Sequence, residues 1–178
     1  MTRTLVLFAK DPGREARAKG FSAAAAADVF ASFAAGWVDV AETLGARIVV
    51  ATPAEDLAPW RRRRPSSRIV WVAQRGSSFG ERLEDAVRRV SQPGGHVVVV
   101  GGDVAPDLAA AAQAFEAVEG GISAALAPSA DGGVSLFSLS PGDHDLLRGI
   151  EVGRRDVFST LSRRLAERDR PVALVAAG

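Results

Sequence analysis

The sequence predicts an α/β fold built on a mostly parallel sheet, and three observations lead there. Short β-branched runs alternate with longer helical patterns along the whole chain. The runs are almost continuously apolar rather than alternating, as strands are when helices cover both faces. The turns between them carry Gly, Pro and Asp, residues that end regular structure. In chain order the strands are Arg3–Ala9, Arg47–Thr52, Arg68–Ala73 and His96–Gly101. "ISAALAP" and "GGVSLFSLS" follow, joined by the turn-rich "SADGG", and "PVALVAA" is the last. A long Ala-rich helix is expected over Ser22–Leu44, interrupted or tightly packed at Gly36. "SSFGERLEDAVRRV" sets Phe79, Leu83, Ala86, Val87 and Val90 on one helical face. "PDLAAAAQAFEAV" does so with Leu108, Ala111, Ala112, Phe115 and Val118, with Pro106 expected at the first helical position. "RRDVFSTLSRRLAERD" aligns Val157, Leu161 and Leu165.

The 178 residues are 47% hydrophobic and 24% charged, which suits one domain spanning 1–178 with an ordinary core. A net charge of +1 offers no broad field for nucleic acid or an anionic membrane. Absence of cysteine excludes disulfides and thiolate metal sites. Polar residues interrupt "MTRTLVLFAKDPGR" too early for a signal peptide. The Ala-rich segment carries Asp28 and Asp39, so no membrane span is expected and a cytoplasmic location is. The cations are nearly all arginine and tyrosine is absent, a pattern read as genomic bias.

In open α/β sheets, ligands sit beyond the carboxyl ends of the strands. Four segments stand there: "AKDPGR", "QRGSSFGER", "GGDVAPD" and "PSADGG". Glycine lets a ligand approach the backbone closely, and carboxylates suit a hard ion such as Mg²⁺ or Mn²⁺. Such an ion can bridge a diphosphate, with Lys10 and Arg14 holding the phosphates from the other side. Two readings of Asp103 stay open: a metal acid, or a cap for the following helix. Asp131-Gly132-Gly133 reads equally as a tight turn. No P-loop or G-x-G-x-x-G spacing occurs, and the serines lack a G-x-S-x-G context. Arg61 to Arg64 form a basic run better read as a solvated helix end than a nucleic-acid patch. His96 and His144 have no ligand or triad spacing and are expected to be structural or exposed.

The segments "LVLFAKDPGR", "FGERLEDAV", "VVVVGGDVAPDL", "APSADGGVSLFSL" and "LLRGIEVGRRDVFSTLSRRL", in this order, resemble the DUF2064 family. That family is related to sugar-nucleotide glycosyltransferases and phospholactate guanylyltransferases. The resemblance implies a three-layer α/β/α Rossmann-like sandwich of the nucleotide-diphospho-sugar transferase type, mostly parallel with one reversed strand. It implies Asp103 and Asp131 as catalytic and metal-coordinating acids, with Mg²⁺ or Mn²⁺ as cofactor. Nucleotide-side residues would be Phe8, Ala9, Lys10 and Arg14 of the first strand and its loop, with Gly80, Arg82, Gly102, Gly132 and Gly133.

Five departures fall on that same face. A Lys-Thr-Arg-Leu run becomes Glu15-Ala16-Arg17-Ala18-Lys19, where Arg17 and Lys19 could partly substitute. Gly102-Asp103-Val104-Ala105-Pro106 is one residue longer before the proline. Ser78 replaces an aspartate, Val134-Ser135 an aromatic pair, and Val152-Gly153-Arg154-Arg155 a Trp-Ser-Thr-like element. Two functions therefore stand side by side. One is a metal-dependent nucleotidyl- or glycosyltransferase acting on an NTP or nucleotide-sugar and a small acceptor. The other is a non-catalytic relative that binds nucleotide weakly or serves as a scaffold or subunit. A homodimer is left open.

Overall fold

The strand β1 (Arg3–Phe8) lies inside the sheet, with Leu5, Val6 and Leu7 fully buried. The computed structural model describes residues 2–21, 24–63, 68–151 and 156–176. Arg64, Pro65, Ser22 and Val152 to Arg155 of the sequence reading lie outside them.

Six further strands join β1: β2 (Arg47–Thr52), β3 (Val70–Ala73), β4 (His96–Gly101), β5 (Ala124–Pro128), β6 (Val134–Leu139) and β7 (Val172–Leu174). The sheet runs β3-β2-β1-β4-β6-β5-β7. β1 pairs in parallel with β2 and β4, whereas β6 lies antiparallel to both β4 and β5. Among the described residues β6 is thus the one reversed strand. It returns through the Ser129–Gly133 turn, which a hairpin needs and a crossover does not. The expected third strand is shorter than its apolar run, because Arg68 and Ile69 precede the first ladder pair, Val49 with Val70.

Helices α2 (Ala24–Thr43) and α5 (Leu108–Glu119) cover one face, where Trp37 and Phe115 meet Leu5, Leu7, Val98 and Val100. Helices α4 (Phe79–Val90) and α6 (Val157–Ala166) cover the other, where Leu83, Leu161 and Leu165 meet Val6, Val97 and Val99. Successive strand residues point to opposite faces, so one continuous apolar run feeds both layers. Two short helices, α1 (Pro12–Ala18) and α3 (Leu57–Arg63), follow β1 and β2 in the chain. No helix among the described residues is long and apolar enough to cross a membrane.

One local expectation is corrected and two are narrowed. Pro106 is not the first residue of α5: the helix starts at Leu108, and the Asp107 carboxylate accepts from the Ala110 amide at 2.9 Å. At Gly36, where interruption or tight packing is expected, α2 runs on and the packing is tight. The glycine leaves room for Pro106, whose Cγ would lie 2.4 Å from any Cβ there. Of the two expectations for His144, structural or exposed, the structural one holds: it sits in a 3₁₀ segment, Pro141–Leu147, and is 3% exposed.

Candidate nucleotide site

A cavity of about 450 Å³ opens at the carboxyl edge of the parallel strands. Phe8, Ala9 and Lys10 reach it from β1, Gly101 to Val104 from β4 and Gln74 from β3. Val134, Ser135 and Phe137 of β6 close one side, and α4 contributes Phe79, Arg82 and Leu83. Glu15, Ala18 and Lys19 of α1 and its C-cap form the rim. The floor is apolar, with Phe8 and Phe79 edge to face at 5.5 Å.

The end of β4 is held in place by its neighbours. The Gly102 amide donates to the Phe8 carbonyl at 3.1 Å, and a Cβ at Gly102 would meet that of Ala9 at 2.4 Å. Trp37 of α2 donates its indole N–H to the Val104 carbonyl at 2.8 Å. Asp103 is therefore carried on a fixed turn. Because Asp107 caps α5, the Asp103 side chain is free of that task. It lines the cavity, and the Lys19 ammonium meets its Oδ2 at 2.5 Å. Lys19 remains 46% exposed and Asp103 36%, so solvent screens the pair. The hydrogen bond to Asp103 raises the Lys19 pKa above its ordinary value against some burial. The fields of Glu15 and Asp131 add to that rise.

Asp131 plays a local part. Its Oδ1 accepts from the Ser129 hydroxyl at 2.5 Å and from the Gly133 amide at 3.0 Å, fastening the β5–β6 turn. The Ser129 hydroxyl, then the Gly133 amide, hold its pKa below the usual carboxylate range, with a smaller share from Lys19. Asp131 is exposed and is not part of the cavity wall. Gly132 takes φ +85° in the turn, and its carbonyl accepts from the Phe158 amide, seating α6 on the hairpin.

The first-strand loop splits its cations. Lys10 lines the cavity, its ammonium 3.9 Å from Glu15 and thus beyond a hydrogen bond. Arg14 turns elsewhere: its Nη1 donates to Glu55 at 2.7 Å and to Asp56 at 2.9 Å. Asp56, 2% exposed, also accepts from the Asp11 amide, so Arg14 and Asp11 tie α1 to the turn before α3. Gly80 serves packing, since a Cβ there would lie 2.2 Å from the Leu147 carbonyl. Of the expected residues, the cavity gathers Phe8, Ala9, Lys10, Arg82, Gly102 and Asp103. Arg14, Gly80, Asp131, Gly132 and Gly133 stay outside it. Glu15, Gln74 and Phe79 are wall residues that were not among the expected site residues. Only their place after a strand or before a helix could have marked them.

The donor set does not fit a resident divalent ion. Lys19 holds the Asp103 carboxylate, and Ser129 and Gly133 hold that of Asp131. Among the described residues no three His, Cys, Asp or Glu side chains come together around a common point.

A family model described as "Uncharacterized protein conserved in bacteria (DUF2064)" matches residues 38–154. The chain belongs to the DUF2064 family. Its fold is shared with solved structures at low identity. A provisionally assigned nucleotide-diphospho-sugar transferase from Desulfovibrio desulfuricans G20 superposes with a TM-score of 0.82 at 21% identity. That match covers 99% of this chain and 80% of the other. The 4-diphosphocytidyl-2C-methyl-D-erythritol synthase of Anaerococcus prevotii DSM 20548 gives 0.65 at 11%, covering 99% and 88%. Rv0371C of Mycobacterium tuberculosis H37Rv, solved as a manganese complex, gives 0.63 at 16%, covering 99% and 89%. No curated protein matches the sequence. This DUF2064 chain thus carries the nucleotide-diphospho-sugar transferase fold, with a seven-stranded, mostly parallel sheet.

Proposed function

We propose that the cavity binds the nucleotide part of an NTP or nucleotide-sugar and transfers a nucleotidyl or glycosyl group to a small acceptor. The observation that carries this reading is the meeting of Lys10, Lys19, Arg82 and Asp103 above an aromatic floor at one sheet edge. Phe8 and Phe79 offer apolar faces to a base. Lys10 and Arg82 supply positive charge for phosphate oxygens. Gly102 lets the end of β4 pack directly against Ala9, which fixes the turn that carries Asp103. Chemistry of this kind needs positioning and charge neutralisation rather than a nucleophilic side chain. The acceptor oxygen would bond directly to phosphorus or the anomeric carbon as the bridging P–O or C–O bond breaks. Its proton would go to solvent or to a carboxylate. The Mg²⁺ or Mn²⁺ expected from the sequence finds Asp103 already paired here. The reading therefore assigns phosphate charge to the side-chain cations.

Thermal unfolding across a panel of nucleoside triphosphates and nucleotide-sugars tests the proposal. A cognate ligand at a hundred times its dissociation constant should add about 2.7 kcal/mol of stability. Stabilisation should shrink in Lys10→Met and Arg82→Ala. The absence of any shift across the panel would end the reading. Phosphorus NMR then separates the outcomes: nucleotidyl transfer releases diphosphate, glycosyl transfer a nucleoside diphosphate. Binding without either product across a panel of small hydroxyl and phosphate acceptors supports the non-catalytic relative.

A further inference from the structure

Of the 22 lysines and arginines in the chain only two are lysines, Lys10 and Lys19, and both line the same cavity. Everywhere else the chain uses the broad, planar guanidinium. At this one place it uses the compact ammonium, which can occupy the seat of a single ion. Lys19 sits on Asp103 at 2.5 Å, and the carboxylates of Glu15 and Asp131 lie within its field. Only Asp103 touches this ammonium; Glu15 of α1 and Asp131 of the β5–β6 turn act on it through their fields. Asp103 itself sits on a turn fixed by Gly102 and Trp37.

We infer that Lys19 is a tethered cation that takes the seat of a divalent metal ion on Asp103, so that free metal binds this chain only by displacing it. The ammonium carries one positive charge and travels with the protein, whereas a metal must be captured from solution. Lys19 is the C-cap residue of α1, and that position brings it to the strand-end acid. The inference extends the nucleotide reading, and the experiment omits nucleotide so that each can fail alone.

Mn²⁺ alone is titrated against the full chain and read by electron paramagnetic resonance of the free ion. Lys19→Met should tighten Mn²⁺ binding by about ten-fold or more, since it removes both a competitor and a like charge. Lys10→Met, which removes an equal charge from the same cavity, should change it by less than about three-fold, because Lys10 does not hold Asp103. Asp103→Asn placed on Lys19→Met should abolish the gain. Circular dichroism establishes that each variant is folded, as the exposure of these side chains predicts. An unchanged affinity in Lys19→Met overturns the inference. So does an equal gain in Lys10→Met, or a gain that survives loss of the Asp103 carboxylate.

Discussion

At Gly102 the shape of the site depends on a missing methyl group. The β4 backbone crosses so close to β1 that a side chain at 102 would meet Ala9, whose own Cα lies only 3.0 Å from the added atom. Gly102→Ala should therefore destabilise the chain by about 1–3 kcal/mol, the usual cost of overpacking a close contact. Adding Ala9→Gly should recover much of the loss. Chemical denaturation midpoints of the two variants measure both effects. Asp103, the next residue, should lose its register with Lys19 in the single variant and regain it in the double. Arg14 illustrates what residue-level reading misses. Its sequence neighbours mark it as a phosphate ligand, but Glu55 and Asp56, some forty positions away, claim it once the chain folds.

Among the elements, α4 best shows how a family departure can be neutral. Ser78 stands where an aspartate is usual, yet it caps the helix: its hydroxyl accepts from the Glu81 amide, and Glu81 reaches back to the Ser78 amide. Ser and Asp are near equals at this position. Ser78→Ala should cost about 1 kcal/mol in unfolding free energy, whereas Ser78→Asp should be close to neutral. Thermal unfolding of the pair is the measurement. The strands were the most legible elements, because runs such as "HVVVVG" can satisfy a parallel ladder and two apolar faces at once. Helix α1 was not legible. Its seven residues open on Pro12-Gly13, a turn signature, and it is capped by Asp11, whose own contacts to Arg63 and Asp56 are long range. The strand-end rule placed Lys10, Arg82 and Asp103 at the cavity. It could not tell that Asp131 would spend its carboxylate on its own turn, because the same Asp-Gly-Gly serves both purposes.

For the whole molecule, acid sensitivity near neutrality should trace to one ring on the far side from the cavity. His144 is buried, its Nε2 has no hydrogen-bond partner, and burial pushes its pKa below 6.5, with Arg88 adding to the effect. The Leu139 backbone, Asp143 and Glu84 oppose that shift without cancelling it. A base whose pKa is lowered by folding binds fewer protons folded than unfolded, so stability rises with pH in that window. The contribution is complete above 6.5 and is lost as pH falls through the depressed folded value. Urea midpoints from about pH 7.5 to about pH 5 should fall in the parent chain and stay flatter in His144→Asn. The carboxylates held low by their partners, such as Glu119 on Arg3 and Asp145 on Arg168, lose their contribution only in stronger acid.

The uneven use of lysine also has a practical side. Primary amines on side chains occur at two positions in the chain, and the cavity holds both. A reagent that acylates amines therefore reads this cavity, together with the chain terminus, and ignores the arginine-covered remainder. Counting adducts on the intact protein by mass turns a bulk modification into an occupancy gauge. Whatever fills the cavity will be registered as acyl groups that fail to attach.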